Sequence, residues 1–114
     1  MPLYESTFVV RQDASVHDVN NITKGYVQLV EKLSGTILKK ESWGLRVLSH
    51  KIKKNTKGHY VMLSIDVGAE AIKELERQYK FNENIIVFLT LKVKKIEEGA
   101  SIMMSAPTEV EAIV

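Results

Sequence analysis

Hydrophobic and polar positions along the chain follow two periods, and the switches between them mark six elements. Leu3 to Arg11 alternates, with Tyr4, Phe8 and Val10 set against Glu5, Thr7 and Val9, which predicts a half-buried strand. Gln12-Asp13-Ala14 is a turn, and Ser15 with Asp18 three residues on forms a capping-box-like helix start. Val19, Ile22, Tyr26, Leu29, Val30 and Leu33 then fall on one helical stripe. Gly25 interrupts that stripe, and Gly35 is placed to close the helix in a left-handed conformation. The strand pattern returns from Thr36 to Lys54, where Gly44 predicts a bulge. By composition, Asn55-Thr56-Lys57-Gly58 is expected to be the hairpin turn. Residues 59–67 alternate again, Ala69 to Lys80 carries a second stripe of Ile72, Leu75 and Tyr79, and Ile85 to Val93 is a last strand.

The order strand, helix, strand, strand, helix, strand predicts an α+β domain of the ferredoxin-like split βαβ type (βαββαβ). Its four-stranded antiparallel sheet would be covered on one face by both helices. A chain of 114 residues is long enough for one two-layer core and no more. Residues 1–95 are therefore expected to be the domain. Residues 96–114 lose all periodicity and are expected to form a flexible acidic tail.

Charge sharpens this picture. The net charge is +2, but residues 96–114 hold four acids (Glu97, Glu98, Glu109, Glu111) and no Lys or Arg. The body is left with 16 basic and 10 acidic groups. Between Lys39 and Tyr60 there are seven cations (Lys39, Lys40, Arg46, Lys51, Lys53, Lys54, Lys57) against one acid, Glu41. Lysines commonly protect an edge strand from aggregation. Seven in 22 residues exceed that need, and the count favours contact with a phosphate backbone. Lys92, Lys94 and Lys95 make a second basic cluster. The single tryptophan, Trp43, pins the strand bend or, if exposed, anchors an interface.

Catalytic constellations are not found. With no cysteine there is neither a disulfide nor a thiolate metal site. His50 and His59 can meet across a hairpin, but no third zinc ligand is evident. Neither a glycine-rich phosphate loop nor a nucleophile elbow is present. Arg11 and Asn55 match an acylphosphatase-like site by residue type only. Lys57-Gly58-His59-Tyr60-Val61 echoes the third-strand motif of RNA-recognition modules without its second aromatic. No cofactor, metal or small-molecule substrate is expected. No apolar run is long enough to span a membrane, and the start lacks the regions of a signal peptide, so a cytoplasmic location is expected.

Several segments in order carry a more specific signal. Tyr4-Glu5 leads to Val10-Arg11-Gln12-Asp13. Glu41-Ser42-Trp43-Gly44-Leu45-Arg46-Val47-Leu48 follows, then Ile52-Lys53-Lys54 with Gly58-His59-Tyr60, Glu74-Leu75-Glu76-Arg77 and Asn82-Glu83-Asn84. Together these resemble bacterial small ribosomal subunit protein six over about residues 3–104. The resemblance implies a ferredoxin-like fold, no catalysis and a ribosome-associated location in the cytoplasm. It also implies binding to the central domain of small-subunit ribosomal RNA together with small-subunit protein eighteen. Carried over by position, Tyr4, Arg46, Lys51, Lys53, Lys54, Lys92 and Lys94 are the expected RNA contacts. Trp43, Leu45, Val47 and His50 are the expected partner contacts. Two positions depart from the family pattern: Val87 stands where an Arg is usual, and Ser49-His50 where Ala-Tyr is common. The alternative from another class is a ferredoxin-like metabolite-binding regulatory module.

Overall fold

The computed structural model describes residues 2–94 and 109–110. Seven elements follow in order: β1 (Leu3–Arg11), α1 (Val16–Lys32), β2 (Thr36–Ile52), β3 (Asn55–Asp66), α2 (Ala69–Phe81), β4 (Ile85–Val93) and β5 (Glu109–Val110). The first six give the expected βαββαβ order, a four-stranded antiparallel sheet with both helices on one face. The two-residue β5 lies parallel to β2 at Val47–Leu48, so the sheet order is β4-β1-β3-β2-β5. The remainder of the expected acidic tail, and Lys95, lie outside the described residues. Among the described residues no helix is long and apolar enough to cross a membrane.

Local chemistry explains the helix boundaries. Ser15 Oγ accepts the Asp18 amide at 3.0 Å, and Asp18 Oδ2 accepts the Ser15 amide at 3.2 Å, a complete capping box. Hydrogen bonding to the Asp18 carboxylate, first from the Ser15 amide and then from the Ser15 side chain, holds this carboxyl below the usual carboxylate range. At the other end Ser34, not Gly35, takes the left-handed conformation, with φ 66°. The Ser34 and Gly35 amides bond back to Glu31 and Val30, closing a Schellman motif around a serine. Gly35 is needed for space instead: a Cβ there would stand 2.6 Å from Val67 Cγ2 and 2.8 Å from Val30 Cγ1.

Strand β1 is central, and it is buried on both faces rather than on one. On the helix side Phe8 meets Tyr26 of α1 and Tyr79 of α2, each at 5.3 Å between ring centroids, and Tyr26 and Tyr79 meet edge-to-face at 4.8 Å. The polar tips are satisfied. Tyr79 Oη bonds Ser6 Oγ at 2.8 Å, and Asn82 Nδ2 donates to Tyr26 Oη at 2.9 Å. Burial pushes both phenol groups up from the ordinary tyrosine value, so both stay neutral. On the other side of the sheet Val9, Leu48, Tyr60 and Ile86 form a second buried cluster, joined by Trp43, Ile52 and Val87. Ile86 reaches that side because β4 slips by one residue against Val9 and Val10.

Candidate nucleic-acid interface

The basic segment of the sequence is the bent hairpin of β2 and β3. Its register against β3 breaks three times: between Ile37 and Lys39, between Ser42 and Gly44, and between Val47 and Ile52. The second break is the expected bulge. Trp43 is the inserted residue, and Gly44 takes φ 78° beside it. The third break leaves Leu48, Ser49, His50 and Lys51 opposite only Thr56, so this stretch of β2 bows away from the ladder.

The bulge aims Trp43 onto Tyr60, with ring centroids 6.1 Å apart and planes 20° from parallel. Trp43 Nε1 donates to Glu41 Oε1 at 2.8 Å, and Lys39 Nζ pairs with Glu41 Oε2 at 2.9 Å. Arg46 Nε donates to the Trp43 carbonyl at 3.0 Å. Glu41 and Arg46 are 5% and 6% exposed, so this is an internal polar network that fixes the bend. Tyr60 Oη is buried with no hydrogen-bond partner, and burial pushes its phenol up in pKa despite the nearby Arg46.

Two of the seven cations are therefore consumed by structure. Arg46, grouped by sequence with the exposed lysines, is instead inside the bend. Lys40, Lys51, Lys53, Lys54 and Lys57 remain exposed, and among the described residues none of their ammonium groups has an ion-pair or hydrogen-bond partner. Lys92 and Lys94 are likewise exposed at the far end of β4. Tyr4, opposite Lys92 in the β1–β4 register, is 8% exposed and belongs to the helix-side core. Of the expected partner contacts, Leu45 is 43% exposed, His50 is exposed, and Trp43 and Val47 are half-buried. Val87 packs with the second apolar cluster.

The hairpin turn is not at Asn55–Gly58. Ile52 pairs with Asn55, so the connection is Lys53-Lys54, with φ 47° and 68°. Asn55 supports this turn from its flank: its Nδ2 donates to the Ile52 and Lys53 carbonyls at 3.2 and 3.0 Å. Its Oδ1 accepts the Gln12 amide at 3.0 Å. Gln12 in turn offers Oε1 to the Thr56 amide, the Thr56 hydroxyl and the Lys57 amide, at 3.2, 3.2 and 3.1 Å. Gln12 thus clamps the hairpin tip to the β1–α1 loop. Nothing in the local pattern of Gln12-Asp13-Ala14 signals this role, because its partners lie more than 40 positions away. Gly58 sits in the strand, where a Cβ would collide with Val9 Cγ1.

The catalytic and metal alternatives find no constellation here. Arg11 is held by Asp13, Nη1 to Oδ1 at 2.7 Å, and by Asn84, Nε to Oδ1 at 2.6 Å, and both amide donors of Asn55 go to backbone carbonyls. His59 is buried with Nε2 at 2.8 Å from the Ala14 carbonyl oxygen, whereas His50 is exposed on the bowed stretch of β2, so the two are not a metal pair. Among the described residues no group of three metal-ligating side chains occurs.

Comparison with known proteins gives one consistent answer. Residues 3–92 match the family model described as Ribosomal protein S6. The chain is 46% identical over 110 residues to small ribosomal subunit protein bS6 of Rickettsia prowazekii, covering 96% of this chain and 91% of that protein. It is 44% identical over 106 residues to the protein of the same name from Paramagnetospirillum magneticum, covering 93% and 74%. A crystal structure of 30S ribosomal protein S6 from Thermotoga maritima superposes with TM-score 0.77 at 26% identity, over 81% of this chain and 87% of that one.

Proposed function

The chain belongs to the ribosomal protein S6 family of structural small-subunit proteins, and from that premise we propose that it binds the central domain of small-subunit ribosomal RNA together with small-subunit protein eighteen, without catalysing a reaction. The observation that carries the RNA half of this reading is the set of five exposed lysines on the β2–β3 hairpin that have no carboxylate partner among the described residues. An ammonium already paired gains little from a phosphate, whereas an unpaired one releases the phosphate's counterion on contact. Lys51, Lys53 and Lys54, with Lys92 and Lys94 at the end of β4, are the proposed backbone contacts. Arg46 serves that surface by holding the bend, and Tyr4 by anchoring the strand beside Lys92.

The protein partner is assigned to the bent part of β2. Leu45 and Val47 present apolar surface beside Trp43, and His50 stands on the bowed stretch next to them. A hydrophobic anchor rimmed by polar groups suits a protein interface better than a nucleic-acid one. The binding unit on this reading is residues 1–95, and it acts in the cytoplasm on the ribosome.

The test is binding of the purified protein to a central-domain RNA fragment, with and without small-subunit protein eighteen, at several salt concentrations. Tight binding that strengthens with the partner is expected. Its logarithm should fall by about 0.9 per duplex phosphate contact, or about 0.7 per single-strand contact, for each decade of salt. Absence of salt-sensitive binding by the folded protein, with or without the partner, would overturn the reading.

A further inference from the structure

The tip of the β2–β3 hairpin is made in an unfavourable way. A two-residue connection with positive φ at both positions is the type I′ geometry, for which Asn-Gly is the preferred pair. Here both positions are lysine, at φ 47° and 68°, and a residue with a Cβ is disfavoured in the left-handed region. Among the described residues neither ammonium has a hydrogen-bond or ion-pair partner that would offset this. Strain held at an exposed tip, with no compensating contact of the strained side chains, points to a role outside the folded chain.

The surroundings say what that role is. Lys53 and Lys54 line a cleft of about 390 Å³ with Arg11, Gln12, Asp13, Asn55, Glu83 and Ile86. Asp13 and Asn84 hold two nitrogens of the Arg11 guanidinium, and Nη2 has no partner among the described residues. The Arg11 contact also keeps Asp13 ionised, its carboxyl lying below the usual range, so one of the two acids in the cleft is already neutralised by its partner. Glu83 is the other, opposed by the two lysines. Gln12 and Asn55 fix the tip through six hydrogen bonds to backbone and side-chain atoms, so the left-handed lysines are held in place.

We propose that this cleft is a seat for one backbone phosphate of the RNA, bound by the ammonium groups of Lys53 and Lys54 and by Nη2 of Arg11, and that the lysines occupy the turn at the expense of fold stability. The inference rests on the RNA-binding reading and adds to it the cleft, Arg11, and a conflict between the turn's preference and the ligand's.

Two full-length double variants separate the parts. Lys53→Asn with Lys54→Gly gives the turn its preferred residues and removes both charges. It should raise the thermal unfolding midpoint by roughly 4–8 °C while weakening binding to the central-domain RNA fragment about tenfold at physiological salt. The salt slope should fall by about 0.7–0.9, the amount one phosphate contact supplies. Lys53→Gln with Lys54→Gln removes the charges but keeps Cβ-bearing residues in the left-handed turn. It should lose the same affinity with no comparable gain in midpoint. Unchanged affinity and slope in both variants, beside a wild type that binds in a salt-dependent manner, would overturn the phosphate seat. An unchanged midpoint in the Asn-Gly variant would overturn the claim that stability is sacrificed. A wild type that fails to bind RNA at all would instead overturn the functional reading, and this inference with it.

Discussion

Strand β3 is paired on both sides, and its two flanks differ in regularity. Toward β1 the ladder runs from Leu3 opposite Asp66 to Arg11 opposite Gly58 without a slip. Toward β2 it slips three times, at Ile37/Lys39, Ser42/Gly44 and Val47/Ile52. The regular flank keeps strict alternation, so every second residue of β1 reaches the helices and builds the Phe8–Tyr26–Tyr79 core. The irregular flank redirects side chains one at a time. It turns Trp43 onto Tyr60, brings Arg46 inside the bend, and bows His50 and Lys51 outward. One flank stabilises the fold and the other distributes surface chemistry, and the bulges are what separate the two tasks.

The largest effect should come from breaking the regular flank. Phe8→Ala removes a fully buried ring with two aromatic neighbours and is expected to cost about 3–5 kcal/mol in chemical denaturation. RNA affinity of the molecules that remain folded should be unchanged. A sharper contrast lies within the irregular flank, between a cation inside the bend and cations outside it. Arg46→Ala should lower stability by about 1–3 kcal/mol, because it strips a buried hydrogen-bonded group from the bend. Lys51→Glu with Lys57→Glu should leave stability within about 0.5 kcal/mol while reducing RNA affinity more than tenfold, as expected when exposed phosphate contacts are reversed. Equal stability losses in the two experiments would erase the distinction. The smallest effect is a gain. Tyr60→Phe deletes a buried hydroxyl with no partner and should stabilise the fold by about 1 kcal/mol, measured by denaturant midpoint at constant slope.

How legible each flank was in the sequence follows from the same difference. The capping pair Ser15 and Asp18, the stripe Ile72, Leu75 and Tyr79, and the alternation of β1 act within a few residues of themselves, and all are found where periodicity places them. Gly44 announced its bulge because a left-handed position in a strand calls for glycine. The turn was misplaced because Asn55 and Gly58 carry turn-forming chemistry for other purposes. Asn55 braces the neighbouring turn, and Gly58 makes room for Val9. Gly35 was misassigned for a similar reason, since a close approach to Val67 and a left-handed cap call for the same residue. Among the proposed binding residues, the density of lysines was visible but their state was not. Whether Arg46 is free or buried depends on a strand slip three residues earlier, which places its guanidinium near the Trp43 carbonyl. The Gln12 clamp joins residues far apart in the chain and had no local signal.

The central position of β1 also governs how the molecule is made. Strand β1 is made before both of its neighbours, at residues 55–66 and 85–93, so neither of its edges is paired until those later strands exist. At translation rates of about 5–20 residues per second, Phe8-Val9-Val10 waits roughly 4–16 s between its own synthesis and that of β4. During that interval Phe8 can meet Tyr26 of α1 and the strand can pair with β3, but its edge toward β4 stays open. Complete pairing of β1 is therefore late, and the open edge of Phe8-Val9-Val10 is the segment most in need of shielding while the chain is being made.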